Sequence, residues 1–157
     1  MAAERRIVRP PSRSCVAWAP RPMIGECVDI IEQLLDRVPR PDGFVAAHLV
    51  DGATGQVLAG VVGHGDARPP GSDAAVAALA AGTARAFAEL GAALALQATD
   101  DDPEDLIVTT SGHHHLARLL PDLGGTDAFL LVTLDRARAN LALARHLLQR
   151  LEVQLVP

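Results

Sequence analysis

The chain has 157 residues, 49% of them hydrophobic, which suits one domain with a buried core and argues against disorder. Aromatic residues are scarce, with Phe44, Phe87, Phe129, Trp18 and no Tyr, so a large aromatic ligand pocket or a base-stacking surface has little to be built from. The net charge of −5 is uneven: residues 1–21 carry five Arg and one Glu, whereas residues 22–157 carry nine Arg and eighteen acids, a balance that does not favour nucleic acid as a partner.

Every basic residue is Arg, and with so much Ala and Gly this points to GC-rich codon usage and a bacterial source. Cys15 and Cys27 are too few for a disulfide framework and have no metal-ligand spacing, so a reducing cytoplasm is the expected compartment. Val16–Ala19 is too short for a signal-peptide core, and no apolar run reaches membrane-spanning length.

Residues 1–21, rich in Arg and Pro, read as a mobile basic arm, or as an extension without a role; residues 22–157 form the domain. Residues 24–38 predict an amphipathic helix. Ile24, Cys27, Val28, Ile31, Leu34, Leu35 and Val38 share one face, Glu26, Asp29, Glu32 and Asp36 take the other, and Pro39 and Pro41 end it. Two β-rich runs follow, Phe44–Val50 and Gln56–Val62, joined by the turn cluster Asp51–Gly55 into a hairpin. Residues 63–72 read as a loop.

Ser72 is a suitable N-cap and Asp73 places negative charge at the first turn of a long Ala-rich helix to about Gln97. Gly82 and Gly91 interrupt that helix at about 1 kcal/mol each, which suggests a kink or a close backbone approach. The acidic stretch Thr99–Asp105 is a loop. Leu106–Thr110 is a strand, turned by Ser111-Gly112 into His113–Leu120, and Pro121–Thr126 is a loop. Asp127–Leu134 is apolar on both faces, as a central strand must be. Asp135 is expected to cap the last helix, in which Ala137, Leu141, Ala144, Leu148, Leu151 and Leu155 make one stripe and Leu143 and Leu147 widen it. The order α-β-β-α-β-β-β-α predicts an α/β (α+β) domain with a five-stranded antiparallel sheet and helices on its faces.

Three segments carry a family resemblance. They are Arg40–Asp51 leading to Gly55–Ala59, the Ala-rich helix after Ser72-Asp73, and Ala128–Arg145 with its strand, Asp-containing turn and Asn-Leu step. Together they make residues 24–155 similar to the roadblock/LC7 family, of profilin-like architecture, and to its bacterial MglB-like members. The resemblance implies a sheet order 2-1-5-4-3 with the last strand central. It also implies a homodimer in which the third strands pair edge to edge and the second helices pack together. Family members mostly regulate small Ras-like GTPases or scaffold signalling complexes, so a GTPase partner is expected. The Arg/Pro arm and the His triplet are not part of the family pattern.

Within the long helix, Val76, Leu79, Thr83, Phe87, Leu90 and Leu94 form one apolar stripe and Ala77, Ala81, Ala84 and Ala88 another; only Asp73, Arg85, Glu89 and Gln97 are strongly polar. A helix apolar most of the way round is usually buried on two sides, although codon bias also enriches Ala. The expected dimer interface is Val76, Leu79, Ala80, Thr83, Phe87 and Leu90, beside Leu106, Ile107, Val108, Thr109 and Thr110.

Other chemistry is weaker. His113 and His115 share a strand face and invite a metal with His48 or His64, but no Cys or acid pair supports them, and solvated imidazoles are the simpler reading. Asp100–Asp102 with Glu104 and Asp105 lacks the spacing of a Ca²⁺ loop. Gly60–Gly65 is Gly-rich, yet a phosphate loop needs a Lys and the chain has none. Ser111 near His113 makes no triad, and there is no Gly-x-Ser-x-Gly elbow. No catalytic residue, cofactor or metal is therefore assigned. Three readings stand: a non-enzymatic homodimer regulating a small GTPase, a dimerisation scaffold without effect on GTP turnover, and a His-cluster metal or ligand sensor.

Overall fold

The computed structural model describes residues 24–63, 72–97, 103–123 and 126–155. The Arg-rich segment 1–21, most of the 63–72 loop with His64, and the Asp100–Asp102 run lie outside the described residues. In order the elements are α1 (Ile24–Arg37), β1 (Phe44–Asp51), β2 (Val57–Val62), α2 (Asp73–Ala95), β3 (Asp105–Thr109), β4 (His113–Leu123), β5 (Thr126–Asp135) and α3 (Leu141–Leu155). The five strands form one antiparallel sheet in the order β2-β1-β5-β4-β3.

β5 is central because both its faces are apolar. Leu130, Val132 and Leu134 enter the core under α1 and α3 with Leu34, Ala47, Leu49, Leu116, Leu148 and Leu151. Phe129 and Leu131 point the other way and meet Val50, Ala80, Ala84, Phe87 and Ala117 under α2. The period-two alternation of a strand thus divides one sequence run between two cores.

The β1–β2 hairpin forms as expected. Asp51 Oδ1 accepts hydrogen bonds from the Thr54 backbone N–H (2.8 Å) and hydroxyl (2.9 Å), and Gly55 closes the turn at φ +71°. Gly55 also lets α2 approach, since a Cβ there would come within 2.7 Å of Ala81 Cα. α2 runs through Gly82 and Gly91 as expected, and neither is at a close approach among the described residues, since a Cβ at either would meet nothing within 4 Å. Ser72 caps α2 through its backbone, its carbonyl accepting from the N–H groups of Ala75 and Val76, with no side-chain cap bond.

Two boundaries depart from the sequence reading. β4 continues through Pro121 to Leu123, with a register shift between Leu120 and Leu123, where a residue lacking an N–H is tolerated. The last helix starts at Leu141 rather than next to Asp135. Asp135 instead closes a turn, its carboxylate accepting from the Ala137 N–H (2.8 Å), and Asn140 is the cap, with its side-chain oxygen 3.1 Å from the Leu143 N–H.

Candidate interaction surface

The two elements singled out by the sequence lie close together, α2 over one face of the sheet and β3 along its edge. α2 is held down by Ala80, Thr83, Ala84 and Phe87, all buried. The Phe87 and Phe129 rings meet at 5.5 Å between centroids, tilted by 53°. Thr83 satisfies its hydroxyl by donating to the Leu79 carbonyl at 2.8 Å. The stripe expected to form an interface is therefore in large part the stripe that binds α2 to its own sheet. Ala80, Thr83 and Phe87 are spent inside the chain, Val76 and Leu79 are half-buried, and only Leu90, 43% exposed, stands out from it.

The outward side of α2 is apolar too. Gly82, Ala86, Leu90 and Ala93 follow one another at intervals of three or four residues, in line with Ala75 and Leu79, which also reach in toward the sheet, and all six are exposed or half-buried. Ala77, Ala78, Ala88 and Ala92 lie beyond them, and among the exposed α2 side chains only Asp73, Arg85 and Glu89 carry charge. Such a surface has little to offer water and lets another backbone approach closely, because its side chains are short. The sequence signal that marks this ridge is its own three-and-four spacing, hidden by the equally apolar inner stripe.

β3 hydrogen-bonds to β4 on one side and stands last in the sheet on the other. Leu106 packs toward the α2 core, whereas Ile107 (37%) and Val108 (40%) are exposed. Thr109 shares a 3.0 Å hydrogen bond with His114 Nδ1, and Thr110, just beyond the strand, closes the turn by donating from its N–H to the His113 carbonyl. Asp105 anchors the strand. Its carboxylate accepts from Arg145 Nε of α3 at 2.6 Å and lies 3.5 Å from Arg118 of β4. That pairing raises the pKa of the exposed Arg145 guanidinium, through the hydrogen bond first and the opposite charge second.

The histidines separate by strand face. His114 bonds to Thr109, while His113 and His115 point to the α2 side with ring centroids 6.0 Å apart. His115 is buried and its Nδ1 is 3.1 Å from the Thr133 hydroxyl. His48 reaches the same layer from β1, opposite Gly60, where a Cβ would come within 2.6 Å of the imidazole Cδ2. A cavity of about 130 Å³ lies between them, closed by Ala75, Val76 and Leu79 of α2. Burial holds both imidazoles below their usual pKa, opposed at His48 by Asp73 and reinforced at His115 by His113 and His114. Among the described residues no three His, Cys, Asp or Glu side chains come together as metal ligands. No helix among them is long and apolar enough to cross a membrane. Ser111 is exposed at the β3–β4 turn, where the hydrogen bonds to His113 are made by Thr110.

No protein-family profile and no curated protein sequence matches the chain. Solved structures do. The chain is similar to the gliding protein MglB of Thermus thermophilus, with a TM-score of 0.58 at 21% identity over 82% of this chain and 84% of that one. It is similar to Myxococcus xanthus MglB, with a TM-score of 0.59 at 18% identity over 80% and 84%. It also resembles a roadblock/LC7 domain from Streptomyces avermitilis, with a TM-score of 0.55 at 14% identity over 79% and 89%. The fold is the roadblock/LC7 fold, with the sheet order expected of it.

Proposed function

We propose that this protein is a non-enzymatic, homodimeric interaction module that regulates or scaffolds a small Ras-like GTPase in bacterial signalling. The observation that carries the reading is the outward ridge of α2, apolar along its length although the inner stripe already satisfies the helix's own packing. A second copy of α2 would cover the ridge, and the neighbouring β3 edge would pair with its twofold mate to extend the sheet across both subunits. The GTPase partner follows from the family resemblance, and the likeness in fold to MglB supports it. In this mode the module stabilises one conformation of the GTPase and supplies no chemistry of its own.

The test is to purify the chain with a Ras-like GTPase encoded beside it, then measure oligomeric state, complex formation and GTP turnover. A dimer that binds the GTPase and changes its turnover is the expected result. Binding without a change in turnover assigns the scaffold role instead. A monomer, or a dimer that binds no such GTPase, overturns the proposal.

A further inference from the structure

A second surface lies at the other flank of α2. Between the C-terminal half of that helix and the end of the sheet where β1 finishes and β5 begins runs a groove of about 530 Å³. Its accessible lining is small and apolar, with Ala88, Gly91 and Leu119 over the buried Phe87 and Phe129. The Phe pair already adopts a tilted arrangement at 5.5 Å, and Gly91, whose missing Cβ would meet nothing within 4 Å, leaves the space above it open. A groove of this size and lining takes a large flat side chain.

The rim is acidic. Glu104 and Asp127 are exposed at the mouth, which Pro103 also lines. The nearby cation, Arg118, stands beside Glu104 at 3.8 Å and Asp105 at 3.5 Å, so acids outnumber bases at the rim. The chemistry that fits is an aromatic ring flanked by positive charge.

The chain supplies such a segment. Phe44, Phe87 and Phe129 are all packed into the two cores, which leaves Trp18 as the single aromatic residue outside the described fold. Arg13 and Arg21 flank it, within a segment of five Arg and one Glu that precedes a domain of opposite sign. We propose that Trp18 docks in the groove of its own chain, with the flanking arginines against the Glu104 and Asp127 rim.

The reach suffices. Only residues 38–43 join α1 to β1, so the helix runs back along the sheet and its start lies toward the end where β1 finishes at Asp51 and Gly52, and Gly52 itself lines the groove. Six residues separate Trp18 from Ile24, an extended span of about 20 Å. Passing round the end of the sheet from one helix layer to the other takes roughly 20 Å, two packing distances of about 10 Å each. Pro20 and Pro22 restrict the connecting backbone and reduce the entropy lost on docking. The contact gives the Arg-rich segment a role that the roadblock fold does not assign, shielding an apolar, acid-rimmed groove beside the proposed dimer face.

Trp18 is the only tryptophan and there is no tyrosine, so intrinsic emission reports on this contact alone. The experiment compares the full chain with a synthetic peptide of residues 1–23, by emission maximum and by quenching with neutral acrylamide. The full chain is expected to emit at shorter wavelength and to be quenched severalfold less than the peptide, independently of protein concentration. Ala88→Glu, at an exposed helix position, and the pair Glu104→Gln with Asp127→Asn should each return the signal toward that of the peptide, while circular dichroism melts verify that these variants fold. Peptide-like emission from the wild-type chain overturns the proposal. So does protection that survives Ala88→Glu in a folded variant, or protection lost on dilution, which would place Trp18 in a neighbouring molecule.

Discussion

The two sides of α2 make opposite demands on a substitution, and Phe87 and Leu90 separate them. Phe87 is 7% exposed and sits against Phe129, Ala117 and Leu131, so Phe87→Ala opens a cavity in a core that has few other large side chains to collapse into it. Truncations of this kind cost about 3–5 kcal/mol, a large share of the ~5–15 kcal/mol that stabilises a typical domain. Leu90 is 43% exposed on the outer ridge, three residues and nearly one helical turn away. Leu90→Glu removes no core contact and places a good helix former, so folding stability measured on the monomer should change by about 0.5 kcal/mol or less. Burying that carboxylate opposite its twofold copy would cost several kcal/mol, enough to dissociate a dimer. Urea unfolding gives the first quantity, and light scattering across a dilution series gives the second. The expected pattern is a destabilised Phe87→Ala and a stable, monomeric Leu90→Glu. A stable monomer from Phe87→Ala together with an unfolded Leu90→Glu would refute the assignment of inner and outer faces.

The other predictions concern folding. His48 and His115 have pKa values held below the usual imidazole value of 6.5, chiefly by burial, so the unfolded chain takes up protons first as pH falls. The stability they permit is complete above about pH 6.5 and declines as pH drops from there toward their lower folded values. Urea melts from pH 8 to pH 5 should show that slope, and His48→Gln with His115→Gln should flatten it; an unchanged slope in the double variant would remove these two groups as its source. Asn140→Ala should cost about 1 kcal/mol through the lost cap on α3, and Asp135→Ala clearly less if Asp135 only closes the preceding turn; thermal melts giving the reverse order would restore Asp135 as the cap. Gly55→Ala should destabilise by more than about 1 kcal/mol, because it combines a positive φ with a clash against Ala81, and a neutral result would mean that α2 does not sit over this turn.

What was legible in the sequence was what local pattern controls. The doubly apolar run from Ala128 to Leu134 could only be a central strand, and it is flanked by β1 and β4. The Asp51–Gly55 cluster contained its own hydrogen-bonding partners, so its turn needed no information from elsewhere. The start of α3 was different. Asp135 and Asn140 are both competent caps, five residues apart and followed by helix formers, and the choice between them is made at long range. The Asp135 N–H donates to the Gly43 carbonyl at 2.7 Å, and Gly43, at φ +80°, admits Ala139 so closely that a Cβ would come within 2.8 Å of its nitrogen. The turn is pinned across the start of β1, and the helix begins only after it.

The same reasoning explains why residues expected at an interface, Ala80, Thr83 and Phe87, are instead packed against the sheet of their own chain. Hydrophobic periodicity identifies an inside by contrast with a polar outside, and α2 offers almost no contrast. Its inner stripe carries the larger residues because it must fill space against Phe129, Leu131 and Val50, so reading the bulkiest stripe as the interface selected Ala80, Thr83 and Phe87 along with it. Size therefore marks the face that packs against a sheet, where gaps must be filled. A face of Ala and Gly relieved chiefly by the exposed Leu90 suits the approach of a second helix, where backbones must come close. The histidines follow the same logic: spacing placed His113 and His115 on one face, but only the register that sets His48 opposite Leu131, and Leu131 opposite Ala117, brings His48 into the layer of His115 under α2.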